Sequence, residues 1–179
     1  MTDSLRISTL DAAHRQLSLA IRLLFANADP VAVHTLVGAA ATIFNNTSAR
    51  DDNTLAPPEY FRLMHKAQNL FNPLSSDANA LFEVDPEDTE ALAFWAVMNA
   101  SDVGTLSLEE QLYQRWYIAS HLLRDDEHEG LLGVALQAFG DLSTKSHCEQ
   151  LQAGASVLSE FEASGPSDSS HWKTHCDYH

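Results

Sequence analysis

The stretch from Leu10 to Asn46 constrains the fold most strongly, because it predicts two helices joined by a sharp corner. The Ser-x-x-acid spacing from Ser8 to Asp11 is typical of a capping box at the start of the first helix. Arg15 and Arg22 fall off the apolar face of that helix and are expected at the solvent surface. The apolar residues recur at steps of three or four and share one face: Leu10, Ala13, Leu17, Ile21, Leu24 and Phe25.

The corner at Asp29-Pro30 predicts where the second helix begins. An Asp cap accepts from free backbone amides, and a Pro at the first helical position gives up a donor that has no partner. The small residues 38–41 allow another helix to approach closely. The apolar face of the second helix is Val33, Leu36, Val37, Ala40 and Phe44. Two helices joined by a short turn form an antiparallel hairpin on which the rest of the chain should pack. The residues whose shared burial tests this hairpin are Leu17, Ile21, Val37 and Ala40.

Five further segments predict helices: residues 58–69, 86–100, 108–123, 131–139 and 143–163. Asp85-Pro86 repeats the Asp-Pro start, and Ser107 to Glu110 repeats the capping box. Residues 131–139 are apolar on almost every side, so we expect them to be buried or to lie in an interface. Residues 81–84 could form one extended piece, which makes no sheet alone. The inward positions expected in these helices are Phe61, Leu63 or Met64, Ala67, Ala91, Phe94 or Trp95, Met98, Leu108, Leu112, Trp116, Ala119, Leu123, Cys148, Leu151, Ala155 and Leu158.

The sequence therefore predicts an all-α, single-domain bundle of six or seven helices over residues 1–163. A Ser- and Gly-rich linker and a short His-rich end follow, so residues 164–179 are expected to form a flexible tail.

The net charge of −15, with only ten Lys and Arg, argues against a general nucleic-acid binder. It is explained by solubility, or by an acidic surface for a basic partner. No apolar run is long enough to cross a membrane, and the N-terminus lacks the apolar core of a signal peptide. Cys148 and Cys176 are too few and too far apart for a disulfide framework. We therefore expect a cytoplasmic protein with reduced thiols.

The residues around the corner resemble a family of small uncharacterised bacterial proteins. The shared pattern is AIRL-x-F followed by DPVA-x-HTL-x-x-AA, found here in residues 20–25 and 29–40. The family's acidic Asp-Pro-Glu-x-Thr-Glu segment matches residues 85–90. Its Asn-Phe-Phe-Lys-His-like segment has residues 68–72 as the nearest counterpart, which lack the Lys-His pair. The resemblance covers about residues 9–126 and implies a helical fold without implying an activity.

Arg115 and His121 stand five residues apart, a spacing that resembles the signature of the HEPN ribonucleases, which are helical and act as dimers. The resemblance implies that His121 acts on the attacking 2′-hydroxyl while Arg115 steadies the phosphate. Trp116 stands where those enzymes usually carry a polar residue, and an acidic surface repels RNA. The interpretation favoured from the residues is a surface Arg and a half-buried His on an amphipathic helix.

Two groups of residues have metal-ligand spacing. His121, Asp125 and His128 would share a face if their helix continued, although the two Asp residues at 125 and 126 favour a solvated joint. The tail places three His and one Cys close together at His171, His175, Cys176 and His179. A tail that picks up metal adventitiously is favoured over a specific site.

No Gly-rich phosphate loop, G-x-S-x-G, H-E-x-x-H or C-x-x-C motif occurs in the sequence. His34 is interpreted as a hydrogen-bonded core histidine, with a ligand role as the alternative. We predict a protein without catalytic residues or a cofactor that acts by binding: through self-association, a protein partner, or a small ligand in a helix-lined pocket. Residues 131–139, the small residues 38–41 and the aromatic side chains Trp95, Trp116 and Tyr117 favour this function. The alternatives are the ribonuclease and a metal-binding helical protein.

Overall fold

The computed structural model of the protein describes residues 7–47, 84–121 and 129–164. These three ranges contain helices and no strand, which confirms the all-α class. The helices are α1 Thr9–Phe25, α2 Pro30–Thr47, α3 Pro86–Val103, α4 Leu108–His121, α5 Glu129–Phe139 and α6 His147–Ser164. The helix expected over residues 58–69, residues 81–83 of the extended piece expected at 81–84, and residues 165–179 of the tail expected at 164–179 lie outside the described residues. In the described part of the chain, no helix is both long and apolar enough to cross a bilayer.

Local side chains form the corner between α1 and α2. The capping box at the start of α1 is present, with Ser8 Oγ accepting from the Asp11 amide at 3.0 Å. At the other end, Asn27 has a positive φ of 50°, and the amides of Asn27 and Ala28 donate to carbonyls of the last turn of α1. This is the Schellman arrangement, which turns the chain sharply. Asp29 Oδ1 then accepts from the Val31 amide at 2.9 Å, so the predicted Asp cap is confirmed.

The core begins where α1 packs on α2. The four residues chosen to test the hairpin are all buried, with 0–1% exposure: Leu17, Ile21, Val37 and Ala40. On α2, Gly38 and Ala41 are also buried, and α2 packs against both α1 and α3. The small side chains of residues 38–41 therefore allow α2 to pack closely against α1 and α3.

The start of α3 is confirmed and its inward face is corrected. Asp85 Oδ1 accepts from the Glu87 amide at 2.9 Å. The expected inward residues Ala91, Trp95 and Met98 are only half-buried, whereas Phe94 is buried. The helix packs against α1, α2 and α4, so its buried residues lie on more than one face. The fully buried ones are Leu92, Ala93, Ala96, Val97 and Ala100.

The second capping box opens α4 and also ties it to α1. Ser107 Oγ accepts from the Glu110 amide, and Glu110 Oε2 accepts from the Ser107 amide at 2.7 Å. The same carboxylate, which is fully buried, lies 2.8 Å from His14 Nδ1 on α1. Both oxygens of Glu110 are therefore used in structural contacts. Of the expected inward residues in α4, Leu112, Trp116 and Ala119 are buried.

Residues 131–139 are expected to be buried or to lie in an interface, and within this chain α5 is only partly buried. Ala135 is its one buried residue among those described, because α5 packs mainly on α4. Leu136 is 36% exposed. An interface for α5 stays a prediction.

The start of α6 is four residues later than expected. Asp141 Oδ1 accepts from the Ser143 amide in a turn, and Ser146 and Glu149 then form a third capping box before the helix proceeds. Cys148, expected to point inward, is exposed because it lies in this first turn. Leu151 and Leu158 are buried as expected, and Ala155 is half-buried.

Close contact at Gly154 seats α6 on the core. A Cβ at Gly154 would overlap the ring of Phe25, which is buried against Tyr113 and Trp116 with ring centroids 6.1 and 5.4 Å away. Trp116 Nε1 donates to the Gln150 carbonyl of α6 at 2.7 Å. At the surface, Arg22 is exposed as expected, and it also pairs with Glu109 of α4 and Glu162 of α6.

We expect Gly154→Ala to destabilise the fold by about 1–3 kcal/mol, because the packed Phe25 ring cannot withdraw from the added methyl group. The matched control is Gly133→Ala on α5, where a Cβ would meet no atom within 4 Å. That variant should gain up to about 1 kcal/mol from helix propensity. Urea denaturation measures both changes, and equal stabilities for the two variants would contradict the packing described for α6.

Candidate functional site

The two Asp-Pro helix starts meet at one half-open pocket of about 200 Å³. The end of α1, the first turns of α2 and α3, and the start of α6 surround it. Its walls are mainly apolar and include Leu24, Ala28, Pro30, Val33, Pro86 and Leu151. Thr89, Glu90 and His147 form a polar end, and Asn27 is a further polar residue of the lining.

Glu90 and His147 form the polar end. Glu90 lies in the second turn of α3 and is 4% exposed, while His147 is the first residue of α6 and its side chain is 50% exposed. His147 Nε2 lies 2.6 Å from Glu90 Oε1. Burial raises the pKa of the Glu90 carboxyl above its ordinary value of 4.5. The hydrogen bond and charge of His147 and the charge of His121 oppose this rise, while Glu87 adds to it.

Core residues fix the backbone of α3 beneath the pocket. The Thr89 hydroxyl donates to the Asp85 carbonyl at 2.9 Å, so its oxygen accepts from Nδ1–H of His34 at 2.8 Å. His34 is 3% exposed, which confirms a hydrogen-bonded core histidine. Tyr113, fully buried, donates from its hydroxyl to the Glu90 carbonyl at 2.9 Å. Burial, with the neighbouring Glu90 charge, raises the pKa of the Tyr113 hydroxyl well above 10.0, so Tyr113 remains a donor at neutral pH.

Glu90 differs from the other buried glutamate, Glu110, in the use of its oxygens. Glu110 accepts from a backbone amide through Oε2, and both of its oxygens lie within 3.0 Å of His14 Nδ1. Among the hydrogen bonds of the described residues, the carboxylate of Glu90 has one, through Oε1 to His147. Its second oxygen, Oε2, is thus left for a group that enters the pocket.

The structure places Arg115 and His121 in different environments. Arg115 is 6% exposed, whereas His121 is exposed at the end of α4, so the expectation of a surface Arg and a half-buried His is wrong. The His121 ring stacks on Tyr117 with centroids 4.1 Å apart, and its Nδ1 lies 3.0 Å from the Tyr117 carbonyl oxygen. Arg115 is buried because it lies within the packed part of α4, whereas His121 is exposed at the last residue of that helix. Their joint role in a ribonuclease site stays a prediction.

The metal candidates other than His121 lie outside the described residues: Asp125, His128, His171, His175, Cys176 and His179. Within the ranges that the structure describes, no group of three His, Cys, Asp or Glu side chains could hold a metal ion.

Sequence reasoning missed Glu90 and His147 as a pair. Glu87 and Asp88 lie in the first turn of α3, where carboxylates interact favourably with the helix dipole. Glu90, two residues after Asp88, lies on the buried side. The sequence signal that points to this region is the repeated Asp-Pro helix start, at Asp29-Pro30 and at Asp85-Pro86.

The chain matches no protein-family model, no curated protein and no solved structure. The family resemblance of the corner residues therefore stays a prediction. Two of the matching segments, residues 29–40 and 85–90, are joined by the contact between His34 and Thr89, and both line the pocket.

We expect the raised pKa of Glu90 to appear in the pH dependence of stability. The folded state holds the Glu90 proton more tightly than the unfolded state, so the free energy of unfolding falls as pH rises from about 4.5 through the folded pKa. Glu90→Gln removes this fall, and the stability of the variant relative to the unmodified protein should rise between pH 4 and pH 8. Urea denaturation across that range measures the difference.

The control for this experiment is Glu160→Gln, which removes one exposed carboxylate about 20 Å along α6 from His147. A difference curve for Glu90→Gln that is flat, or that falls with pH, would contradict the effect of burial on Glu90.

Proposed function

We propose that the protein acts by binding a small molecule in the pocket between the two Asp-Pro corners. The observation that carries this proposal is the combination of a mainly apolar, half-open pocket with a buried carboxylate that keeps one oxygen available. Ligand sites are typically apolar clefts with a few placed polar groups. At about 200 Å³ the pocket is smaller than the roughly 300–1,000 Å³ that is typical for drug-sized ligands, which points to a smaller molecule.

Binding explains the arrangement better than catalysis does. The Thr89 hydroxyl is held by two hydrogen bonds, and His34 is buried behind it. Thr89 lines the pocket with its hydroxyl already engaged, and His34 supports it from behind. We also assign the protein to the cytoplasm, because its two cysteines lie far apart in the sequence and Cys148 is an exposed, free thiol. Membership of the small bacterial helical family is part of the same proposal.

Filling the mouth of the pocket tests the function. Ala28 is half-buried at the pocket rim, so Ala28→Phe should occupy the space with an aromatic ring and block ligand entry. Ala26→Phe places the same ring two residues away on an exposed position of the same corner, and it should leave binding intact. Titrations of the ¹⁵N-labelled protein with benzylamine, benzyl alcohol and benzoate, followed by NMR, measure binding.

At least one of the three probes should shift the amide signals of residues 27–29, 31–33 and 87–90 in the unmodified protein and in Ala26→Phe, and not in Ala28→Phe. Shifts that persist in Ala28→Phe, or the absence of any shift at millimolar probe, would overturn the proposal.

Self-association through α5 is a second candidate function. Residues 130–139 carry no charge, and α5 buries one of its described residues while leaving Leu136 exposed. Two copies of this acidic chain repel each other over most of their surface, and an uncharged helix gives them a contact without that repulsion.

Light scattering tests the second candidate. The chain should form a dimer at micromolar concentration, and Leu136→Lys should shift it to the monomer, because burying an unpaired charge in an apolar contact is unfavourable. Gln137→Lys adds the same charge to the neighbouring exposed position and is the control. A monomeric unmodified protein, or an equal loss of dimer in both variants, would contradict this role of α5.

A further inference from the structure

The polar end of the pocket determines the class of ligand. Glu90 is almost completely buried, and among the described residues its single carboxylate hydrogen bond uses Oε1. Oε2 is not among the fully enclosed polar atoms that lack a partner in the described residues, so it is reachable from the pocket that Glu90 lines. A charged donor is the partner that interacts most favourably with such a carboxylate oxygen. A ligand that carries such a donor gains this interaction on entering the pocket.

The acidic groups around the pocket outnumber the two nearby histidines, His121 and His147, which disfavours an anion. Asp29 and Asp85 cap the two helices that meet there, and Glu87 lies in the first turn of α3. A helix N-terminus can bind an anion through its free amides, but here the amides of Val31 and Glu87 already donate to the two capping carboxylates. The pocket therefore offers an anion like charges and few donors.

The walls of the pocket favour a ligand whose remaining part is apolar. Leu24, Val33 and Leu151 present hydrocarbon side chains, and Pro30 and Pro86 present their rings. An aliphatic or aromatic body of modest size buries its surface there, which favours binding in proportion to the apolar area removed from water.

We infer that the ligand is a small protonated amine with an apolar body, whose ammonium group donates to Oε2 of Glu90 while His147 keeps its contact with Oε1. This inference rests on the proposed binding function of the pocket. Glu90 is a binding residue in this arrangement, and His147 is a positioning residue that holds the carboxylate toward the ligand.

Three probes of matched shape test the inference. Benzylamine, benzyl alcohol and benzoate share a phenyl ring and differ in the group that meets Glu90. At pH 7.5, NMR titration should show that benzylamine binds the unmodified protein at least about tenfold more tightly than benzyl alcohol, since a charge-assisted hydrogen bond is the stronger one. Benzoate should bind more weakly than both. Glu90→Gln should bring benzylamine and benzyl alcohol to the same affinity, and Glu160→Gln should leave the tenfold difference unchanged.

The outcomes separate this inference from the proposed function. Binding of benzyl alcohol or benzoate that equals or exceeds that of benzylamine, and that Ala28→Phe blocks, overturns the amine class and leaves the pocket function standing. Binding of none of the three probes overturns both. Persistence of the benzylamine preference in a folded Glu90→Gln overturns the role of Glu90. The ratio of benzylamine to benzyl alcohol affinity in the unmodified protein tests the amine class even where Glu90→Gln does not fold.

Discussion

The contact between α1 and α2 is the interaction on which the remaining helices depend. Leu17 and Ile21 of α1 are buried together with Val37 and Ala40 of α2, and each of these two helices also packs on α3. Burial of such side chains removes apolar area from water, which is the main favourable contribution to folding. The corner at residues 26–29 brings the two helices together at little entropic cost, because a short loop joins elements that are neighbours in space. α4 and α6 then pack on the hairpin, held by the His14 contact with Glu110 and by the Phe25 contact with Gly154.

The same corner creates the pocket. The helix starts at Pro30 and Pro86 have the same cap and the same first residue, and they lie side by side because His34 of α2 bonds to Thr89 of α3. Glu90 follows directly and is carried to the buried side, where Tyr113 holds its backbone carbonyl. A buried carboxylate with one side-chain partner opposes folding and favours a ligand that supplies a second one. The energetic conflict at Glu90 thus has a functional interpretation, whereas the fully bonded Glu110 is structural.

Features that depend on neighbouring residues in the chain could be predicted from the sequence. The capping boxes at Ser8 and Ser107 and the caps at Asp29 and Asp85 are contacts over two or three residues, and all four are present. The apolar periodicity of α1 predicted its buried face because one side of that helix meets solvent. α3 has neighbours on several sides, so a single-stripe pattern could not describe it. The apolar composition of α5 predicted burial or an interface without distinguishing them, because composition does not reveal whether a partner helix is present.

The candidate site lay beyond sequence reasoning for a related reason. Glu90 and His147 are 57 residues apart, and no periodicity links them. Their meeting depends on the late start of α6, where the capping box at Ser146 places His147 first in the helix. Arg115 and His121, which do share a motif-like spacing, lie in different environments because the end of α4 exposes one and the core covers the other. Residues six apart on a helix are turned by about 120° from a shared direction, so this spacing does not place two side chains on one face.

The ionisation of Glu90 in the presence and absence of a bound amine tests the central claim most directly. A ¹³C-detected NMR titration of the Glu90 carboxyl group gives its pKa in the free protein and in the presence of saturating benzylamine. We expect a pKa above 4.5 in the free protein, caused by burial, and a lower value with benzylamine, because the ammonium group favours the ionised carboxylate. A pKa at or below 4.5 in the free protein, or one that benzylamine leaves unchanged, would contradict the account of Glu90 as a buried carboxylate that awaits a cationic ligand.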